Sequence, residues 1–163
     1  MDQKLELTSL ADSKRFAHAL VAGLPAESLL LLVGDLGAGK TTLTQFIAAA
    51  MGSHAHVSSP TYTLIHEYPT PLGLLVHIDA YRFVDSSVGV VSSLEHLGLD
   101  DYLTRARLVV VEWGEALLEA YPDAVVLYLQ QQDSVRQVVL KHQHIMLDLA
   151  SSTAAPSALS KTD

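Results

Sequence analysis

Three continuous runs of apolar residues divide the chain, at positions 28–33, 74–79 and 108–113. Runs of this kind, without alternating polar positions, are typical of strands that are covered on both faces in the core of a parallel sheet. The second run ends at the carboxylate of Asp79, and the third ends with Glu112 and Trp113. We therefore predict three core strands, two of which carry an acidic residue near their carboxyl end.

Helical periodicity follows the first run and recurs at two other places. After the first run, apolar side chains recur at helical spacing at Leu43, Phe46, Ile47, Ala50 and Met51. Gly52 follows them as a C-terminal stop. A second helix is predicted from an N-cap at Thr8 or Ser9 to about residue 22, and a short helical segment, broken by a glycine, over 94–103.

Shorter patterns predict further strands and the turn between them. Residues 4–7 are typical of a short edge strand, and residues 61–68 alternate loosely between polar and apolar positions. Pro69, Pro71 and Gly73 then mark a turn that precedes the second apolar run. These patterns add one edge strand and one strand–turn unit to the three core strands.

The segment that joins the first core strand to its helix fits a known phosphate-binding pattern. It reads Gly34-Asp35-Leu36-Gly37-Ala38-Gly39-Lys40-Thr41, which matches G-x-x-x-x-G-K-[ST] without a mismatch. Its glycines permit backbone angles at which successive N–H groups turn toward an anion, and the helix that follows adds unpaired N–H groups. Lys40 would lie near the β- and γ-phosphates, and the Thr41 hydroxyl is a hard oxygen ligand for Mg²⁺.

The late part of the chain completes the predicted fold. Residues 85–91 are small and polar and are predicted as a loop, whereas 125–129 and 135–140 carry polar side chains at alternate positions, as in an antiparallel hairpin with one wet face. We predict an α/β, three-layer P-loop NTPase fold, whose mixed sheet has parallel core strands and an antiparallel edge hairpin. One domain over 1–149 is expected, followed by a disordered tail at 150–163.

Oxygen-bearing side chains at two strand ends join the loop in one predicted metal site. Asp79 and Glu112 end parallel strands, where such folds hold Mg²⁺ or its waters. Together with Thr41 they offer three oxygen groups for one magnesium ion. Downstream of the loop helix, residues 58–61 occupy the place of a mobile segment whose threonine, here Thr61, senses the γ-phosphate in many phosphate-loop hydrolases; a turn built around the proline explains the segment equally well.

Composition and charge limit the binding partners, the kinds of metal site and the location that we expect for the chain. The chain has 163 residues, of which 49% are hydrophobic, a formal net charge of −8 and no cysteine. The negative charge argues against a broad electrostatic grip on nucleic acid, so we expect a partner protein to hold any RNA. Disulfides and thiolate metal sites are excluded. The N-terminus lacks the profile of a signal peptide and no apolar run is long enough to span a bilayer, so the expectation is a soluble cytoplasmic protein.

Several motifs, taken together, resemble the bacterial TsaE family, also called YjeE. Beside the phosphate loop through Thr42 they are Ser59-Pro60-Thr61-Tyr62-Thr63-Leu64, His77-Ile78-Asp79-Ala80-Tyr81-Arg82, Leu97-Gly98 and Glu112-Trp113-Gly114-Glu115, in the family's order. The resemblance covers residues 5 to 142. The phosphate loop is common to many families, whereas the Ser-Pro-Thr-Tyr, Asp-x-Tyr-Arg and Glu-Trp-x-Glu set is specific to this one.

The resemblance implies an ATPase that is needed for threonylcarbamoyladenosine formation next to the tRNA anticodon. ATP and Mg²⁺ would be its cofactors, and TsaD and TsaB its partners, with hydrolysis resetting their complex for another cycle. The family pattern implies nucleotide contacts from Asp35, Leu36, Gly37, Ala38, Gly39, Lys40, Thr41, Thr42, Trp113 and Arg136. Turnover is expected to be slow for the chain alone and to be stimulated by a partner.

The resemblance also assigns roles within the site. Thr41 and Glu112 would bind Mg²⁺, and Lys40 would hold the phosphates. Asp79 would support the metal or the attacking water, and Thr61 would belong to the switch-like segment. Lys40, Asp79 and Thr61 are therefore the expected catalytic residues.

ATP is preferred over GTP because guanine is commonly read by Asn-Lys-x-Asp, and the chain contains no asparagine.

Two other functions remain open from the sequence. A small-molecule kinase usually needs a lid with several arginines, but Arg82, Arg105 and Arg107 are the only arginines between the loop and the late hairpin and form no dense motif. Arg82 is the candidate for an arginine finger within the chain, although the sequence alone favours a structural ion pair for it. A non-catalytic, nucleotide-gated binding module is the second alternative.

Overall fold

The computed structural model describes residues 2–60, 64–85 and 88–142. Within them the strands are β1 (Asp2–Leu7), β2 (Ser28–Val33), β3 (Ile65–Thr70), β4 (Gly73–Asp79), β5 (Leu108–Glu112), β6 (Val125–Gln132) and β7 (Val135–Lys141). The helices are α1 (Leu10–Gly23), α2 (Lys40–Ala50), α3 (Val90–His96) and α4 (Leu99–Arg105), with short 3-10 helices at Tyr81–Phe83 and Gly114–Leu117. The three apolar runs of the sequence form β2, β4 and β5.

These strands form one sheet in the order β1-β7-β6-β2-β5-β4-β3. The four central strands run parallel, whereas β1, β7 and β3 pair antiparallel with their neighbours. The predicted α/β fold with a mixed sheet and a parallel core is therefore confirmed. The late hairpin of β6 and β7 is antiparallel as predicted, but it lies one strand in from the edge, because β1 pairs with β7 and covers its free side.

The side chains of β2 divide the core between the two faces of the sheet. Leu30 and Leu32 belong to an apolar cluster with residues of α1 and α2, while Leu29 and Leu31 belong to a second cluster with residues of α3 and α4. Burying a leucine side chain contributes roughly 1.5–3 kcal/mol, so a run that is buried on both faces stabilises the centre of the sheet strongly. Helices cover both faces, which gives the predicted three layers.

Local boundaries differ from the predictions at three places and agree at the start of α1. β6 continues to Gln132, beyond the predicted strand at 125–129. Pro69 lies inside β3 rather than in the turn, which is tolerated because β3 is an edge strand and one of its sides needs no N–H donor. The predicted loop at 85–91 ends early, since α3 begins at Val90. Helix α1 begins as predicted, where the Ser9 side chain accepts a hydrogen bond from the Asp12 N–H at 3.1 Å.

Residues 143–163, which contain the predicted tail, lie outside the described residues. The tail at 150–163 and the domain limit at residue 149 therefore stay predictions. Among the residues that the structure describes, no helix combines the length and the apolar character that crossing a membrane requires.

Candidate functional site

The phosphate loop lies where the chain connections on the two sides of β2 diverge. β2 has β5 on one side and β6 on the other, and such a switch point leaves a crevice at the carboxyl ends of the strands. A cleft of about 580 Å³ opens there. It is lined by most of the predicted site residues: Leu36, Gly37, Gly39, Lys40, Thr41, Thr42, Asp79, Glu112, Trp113 and Arg136. Asp35 and Ala38 belong to the same loop, and Thr61 lies outside the described residues.

Two glycines of the loop take backbone angles that favour glycine. The φ angle is 83° at Gly37 and 96° at Gly39, both in the left-handed region. A Cβ at Gly39 would also overlap with the guanidinium group of Arg136. Helix α2 starts directly after Gly39 and has no side-chain hydrogen bond at its N-cap. The N–H groups of its first turn are therefore suited to bind an anion.

Lys40 holds its ammonium group inside the cleft. Its Nζ donates hydrogen bonds to the carbonyl oxygens of Gly34 at 2.5 Å and Asp35 at 2.9 Å, and lies 4.2 Å from the centre of the Trp113 ring. Burial lowers the pKa of Lys40, while nearby carboxylates, Glu112 foremost, favour its charged form. The cation is thus held in the cleft by two charge-assisted hydrogen bonds to backbone carbonyls and by the face of the Trp113 ring.

The acidic residues of the cleft lie side by side on neighbouring strands. Asp79 and Glu112 are register partners of β4 and β5. The Thr41 hydroxyl donates to the Glu112 carboxylate, with its Oγ1 3.0 Å from Oε1 and 3.1 Å from Oε2. The Asp79 carboxylate accepts hydrogen bonds from the Ser59 hydroxyl at 3.1 Å and from the Tyr81 N–H at 2.9 Å. The phosphate loop and two acidic strand ends therefore meet in one place.

The oxygen groups of the cleft fit a magnesium ion that is completed by a nucleotide. A hydroxyl and two carboxylates are hard ligands, and Thr41 already contacts Glu112. Within 2–60, 64–85 and 88–142 there is no group of three or more His, Cys, Asp or Glu residues able to hold a metal on their own. Mg²⁺ usually keeps several waters and binds through one or two carboxylates and the substrate phosphates, so the donor set fits this mode rather than an all-protein cage.

A known protein family matches most of the chain. Residues 7–139 match the family model described as threonylcarbamoyl adenosine biosynthesis protein TsaE. The chain belongs to the TsaE family. The resemblance that the sequence motifs indicated is thus confirmed.

Individual members of the TsaE family and one solved structure are similar over most of their length. The tRNA threonylcarbamoyladenosine biosynthesis protein TsaE of Haemophilus influenzae is 34% identical over 137 residues, which are 83% of this chain and 84% of that protein. The protein of the same name from Mycobacterium tuberculosis is 40% identical over 117 residues, 69% of either chain. The crystal structure of Bacillus subtilis YdiB matches with a TM-score of 0.69 and 26% identity, over 99% of this chain and 95% of that one.

The two arginines that the sequence connected with the site have different surroundings in this TsaE family member. Arg82, the candidate arginine finger, is exposed and is not among the residues that line the cleft. Its expected ion pair is also not formed with any residue that the structure describes. Arg136 on β7 instead lies against Gly39, and its buried Nε has no hydrogen-bond partner among the described residues. Burial lowers the pKa of Arg136.

Aromatic residues border the cleft on the side of the acidic strand ends. The rings of Tyr81 and Trp113 lie 5.0 Å apart between centres. Trp113 has a φ of 60°, an uncommon angle for a bulky residue, and such strain is concentrated at functional sites. The sequence motif predicts Trp113 beside the site and contains Tyr81 without assigning it a role.

His77 is a site residue that the sequence reasoning missed. It is fully buried on β4, and its Nε2 lies 2.6 Å from Oε2 of Glu112. The signal in the sequence was a lone histidine inside an apolar run, two residues before the strand-end Asp79. A core histidine whose hydrogen bonds have only a structural role gives the same sequence pattern. Only the register of β4 and β5 therefore shows what His77 contacts.

Proposed function

We propose that this TsaE family member binds and hydrolyses ATP with Mg²⁺, in the formation of threonylcarbamoyladenosine next to the tRNA anticodon. The observation that carries the proposal is the hydrogen bond from the Thr41 hydroxyl to Glu112, because it joins the phosphate loop to a strand-end carboxylate. The relatives from Haemophilus influenzae and Mycobacterium tuberculosis support the pathway through their names.

The residues of the cleft suit phosphoryl transfer to water. Such a reaction needs positioning and charge neutralisation rather than a covalent nucleophile. The loop N–H groups and Lys40 would bind the phosphates, and Arg136 would add a second cation beside them. Thr41 and Glu112 would hold Mg²⁺, which supplies neutralisation of charge on the phosphate oxygens when bound.

Among the described residues, Asp79 is the one that we assign to orienting the attacking water. Its carboxylate is held from two sides, by the Ser59 hydroxyl and by the Tyr81 N–H. The same carboxylate lines the cleft together with Lys40 and Thr41, where a water next to the phosphates would lie. Thr61 stays a prediction as the sensor of the γ-phosphate.

TsaD and TsaB are the proposed partners, and ATP hydrolysis would reset their complex. A net charge of −8 favours contact with tRNA through that complex rather than directly. The absence of asparagine, and hence of Asn-Lys-x-Asp, favours ATP over GTP.

Phosphate release from ATP, measured with Mg²⁺ for the chain alone and with TsaB and TsaD, tests the proposal. We expect slow release by the chain alone, faster release with the partners and weak release from GTP. Release without any added acceptor distinguishes a hydrolase from a small-molecule kinase. Binding of ATP without hydrolysis in either mixture would indicate a nucleotide-gated binding module instead. Calorimetry that detects no ATP binding would overturn the proposal entirely.

A further inference from the structure

A polar side chain is buried directly beneath the predicted magnesium ligands. His77 is 0% exposed within the apolar run of β4, where a leucine or valine would fill the space without polar atoms. Among the described residues its hydrogen-bonding contact is with Glu112, at 2.6 Å between Nε2 and Oε2, and its Nδ1 has no partner there. Burying a polar group is costly unless a hydrogen bond compensates for it, so the contact with Glu112 is what accounts for a histidine at this position.

The geometry of the sheet directs His77 toward Glu112. His77 is the register partner of Val110, and Glu112 follows Val110 by two residues, so the side chains of His77 and Glu112 emerge on the same face. Glu112 itself is 4% exposed, so little water is available to replace the imidazole as a donor. An ionised carboxylate only accepts hydrogen bonds, and the bond therefore requires the proton on Nε2 of His77.

The two oxygens of Glu112 have different surroundings as a result. The Thr41 hydroxyl lies at a similar distance from both, 3.0 Å from Oε1 and 3.1 Å from Oε2, whereas the imidazole of His77 contacts Oε2 alone, at 2.6 Å. Fixing Oε2 restricts rotation of the carboxylate about its terminal bond. Oε1 is thereby held on the side of the phosphate loop, next to the other predicted ligand of Mg²⁺.

We propose that His77 is a positioning residue, which holds Oε2 of Glu112 so that Oε1 is presented to Mg²⁺ beside Thr41. This inference rests on the proposed magnesium–nucleotide site. Partners that orient a ligating carboxylate generally matter for metal affinity, and their loss typically costs about 10–100-fold. Losing this partner should leave the phosphate loop, and with it nucleotide binding in the absence of the metal, unchanged.

Substitutions at His77 separate this role from ordinary packing. In His77→Gln the side-chain amide nitrogen lies about where Nε2 lies, so a donor to Glu112 is kept. In His77→Asn the shorter amide takes the place of Nδ1 and does not reach Glu112. Both variants bury one amide, which makes them a matched pair; His77→Leu removes the donor entirely. Leu94→Ala, in α3 on the opposite face of the sheet, is the control for a general loss of stability.

Calorimetry with ADP, in EDTA and at increasing Mg²⁺, gives a readout that does not depend on turnover. We expect His77→Asn and His77→Leu to need about 10–100-fold more Mg²⁺ for the same gain in ADP affinity, with ADP affinity in EDTA unchanged. His77→Gln should restore most of the Mg²⁺ response. Leu94→Ala should lower the melting temperature but leave the Mg²⁺ response unchanged.

The possible results distinguish the inference from the function on which it rests. If the wild-type chain binds ADP without any influence of Mg²⁺, the proposed function and the role of His77 both fail. If the wild type responds to Mg²⁺ and His77→Asn responds equally, the role of His77 alone is wrong. It is also wrong if His77→Gln and His77→Asn lose ADP affinity in EDTA to the same extent, since that result would assign His77 to packing. Folding of each variant is checked by thermal unfolding, and the Gln and Asn pair decides the question even if His77→Leu does not fold.

Discussion

The cleft has an acidic half, formed by Asp79 and Glu112, and a basic half, formed by Lys40 and Arg136, and the two are built in opposite ways. On the acidic half, every carboxylate oxygen of Asp79 and Glu112 has a hydrogen-bond donor among the described residues. On the basic half, Lys40 binds carbonyl oxygens of its own loop, and the buried Nε of Arg136 has no described partner. The hydrogen bonds of the protein itself therefore hold the acidic half in place, whereas the basic half has positive charge that a bound anion would neutralise.

The elements that build each half explain this difference. The register of β4 and β5 sets Asp79 beside Glu112, so sheet hydrogen bonds hold the acidic half in place. The basic half combines a glycine-rich loop with a side chain from β7. Burial lowers the pKa of both Lys40 and Arg136, which means that desolvation disfavours their charged forms. A bound phosphate removes that penalty, and the basic half should therefore gain most from nucleotide binding.

Lys40→Ala is expected to have the largest effect, because it removes the cation at the centre of the basic half. ATP hydrolysis should fall by roughly 10²–10³-fold, the cost of removing one charge-stabilising donor from an active site. Phosphate release at saturating ATP measures the loss. Lys141→Ala, at the exposed end of β7, is the matched control and should keep wild-type activity. Equal activity of Lys40→Ala and the control would exclude the basic half from the chemistry.

Arg136→Ala should have an intermediate effect and sharpen the comparison. Losing a hydrogen bond from a charged group costs about 1.5–3 kcal/mol, so ADP affinity in the presence of Mg²⁺ should fall by roughly tenfold to a hundredfold. Arg136→Lys keeps the charge without the planar fork and should recover part of the loss. Without nucleotide, the melting temperature of Arg136→Ala should not fall, because this substitution removes a desolvated cation. Lower stability with unchanged affinity would assign Arg136 to the hairpin alone.

The smallest effect concerns a tyrosine outside both halves. The Tyr121 hydroxyl donates to Asp100 at 3.0 Å, and burial, together with that carboxylate, raises the pKa of Tyr121 from 10.0 to about 12. The protonated phenol stabilises the folded chain below pH 10, and this contribution is lost as the pH rises from 10 to about 12. Tyr121→Phe should reduce the fall in melting temperature over that window and leave ADP affinity at neutral pH unchanged. An altered ADP affinity would contradict the separation of this tyrosine from the cleft.

The parts of the fold that the sequence predicted are those with local signals. Continuous apolar runs identify β2, β4 and β5, and the loop motif places the phosphate site after β2. The proximity of Asp79 and Glu112 follows because parallel strands end at the same edge of a sheet. The pairing of β1 with β7 has no such signal, since a short strand does not specify its partner, and the hairpin was therefore placed one strand too far out.

The contacts of single side chains across elements were not predictable in the same way. The role of His77 depends on the register between β4 and β5, and the approach of Arg136 to Gly39 depends on where β7 lies relative to the loop. Arg82 follows Asp79 closely in the sequence, yet the 3-10 helix at Tyr81–Phe83 leaves its side chain exposed. Spacing along the chain gave no information about these directions.

A double-mutant cycle between Thr41 and Glu112 tests most directly whether the phosphate loop and the acidic strand ends bind one magnesium nucleotide. The quantity to measure is the gain in ADP affinity on adding Mg²⁺, for the wild type, Thr41→Ala, Glu112→Ala and the double variant. If both residues hold the same ion, each single variant loses most of the gain and the double variant loses little more, with a coupling of about 0.5–3 kcal/mol. Additive losses, or a wild type whose ADP affinity does not depend on Mg²⁺, would contradict the account.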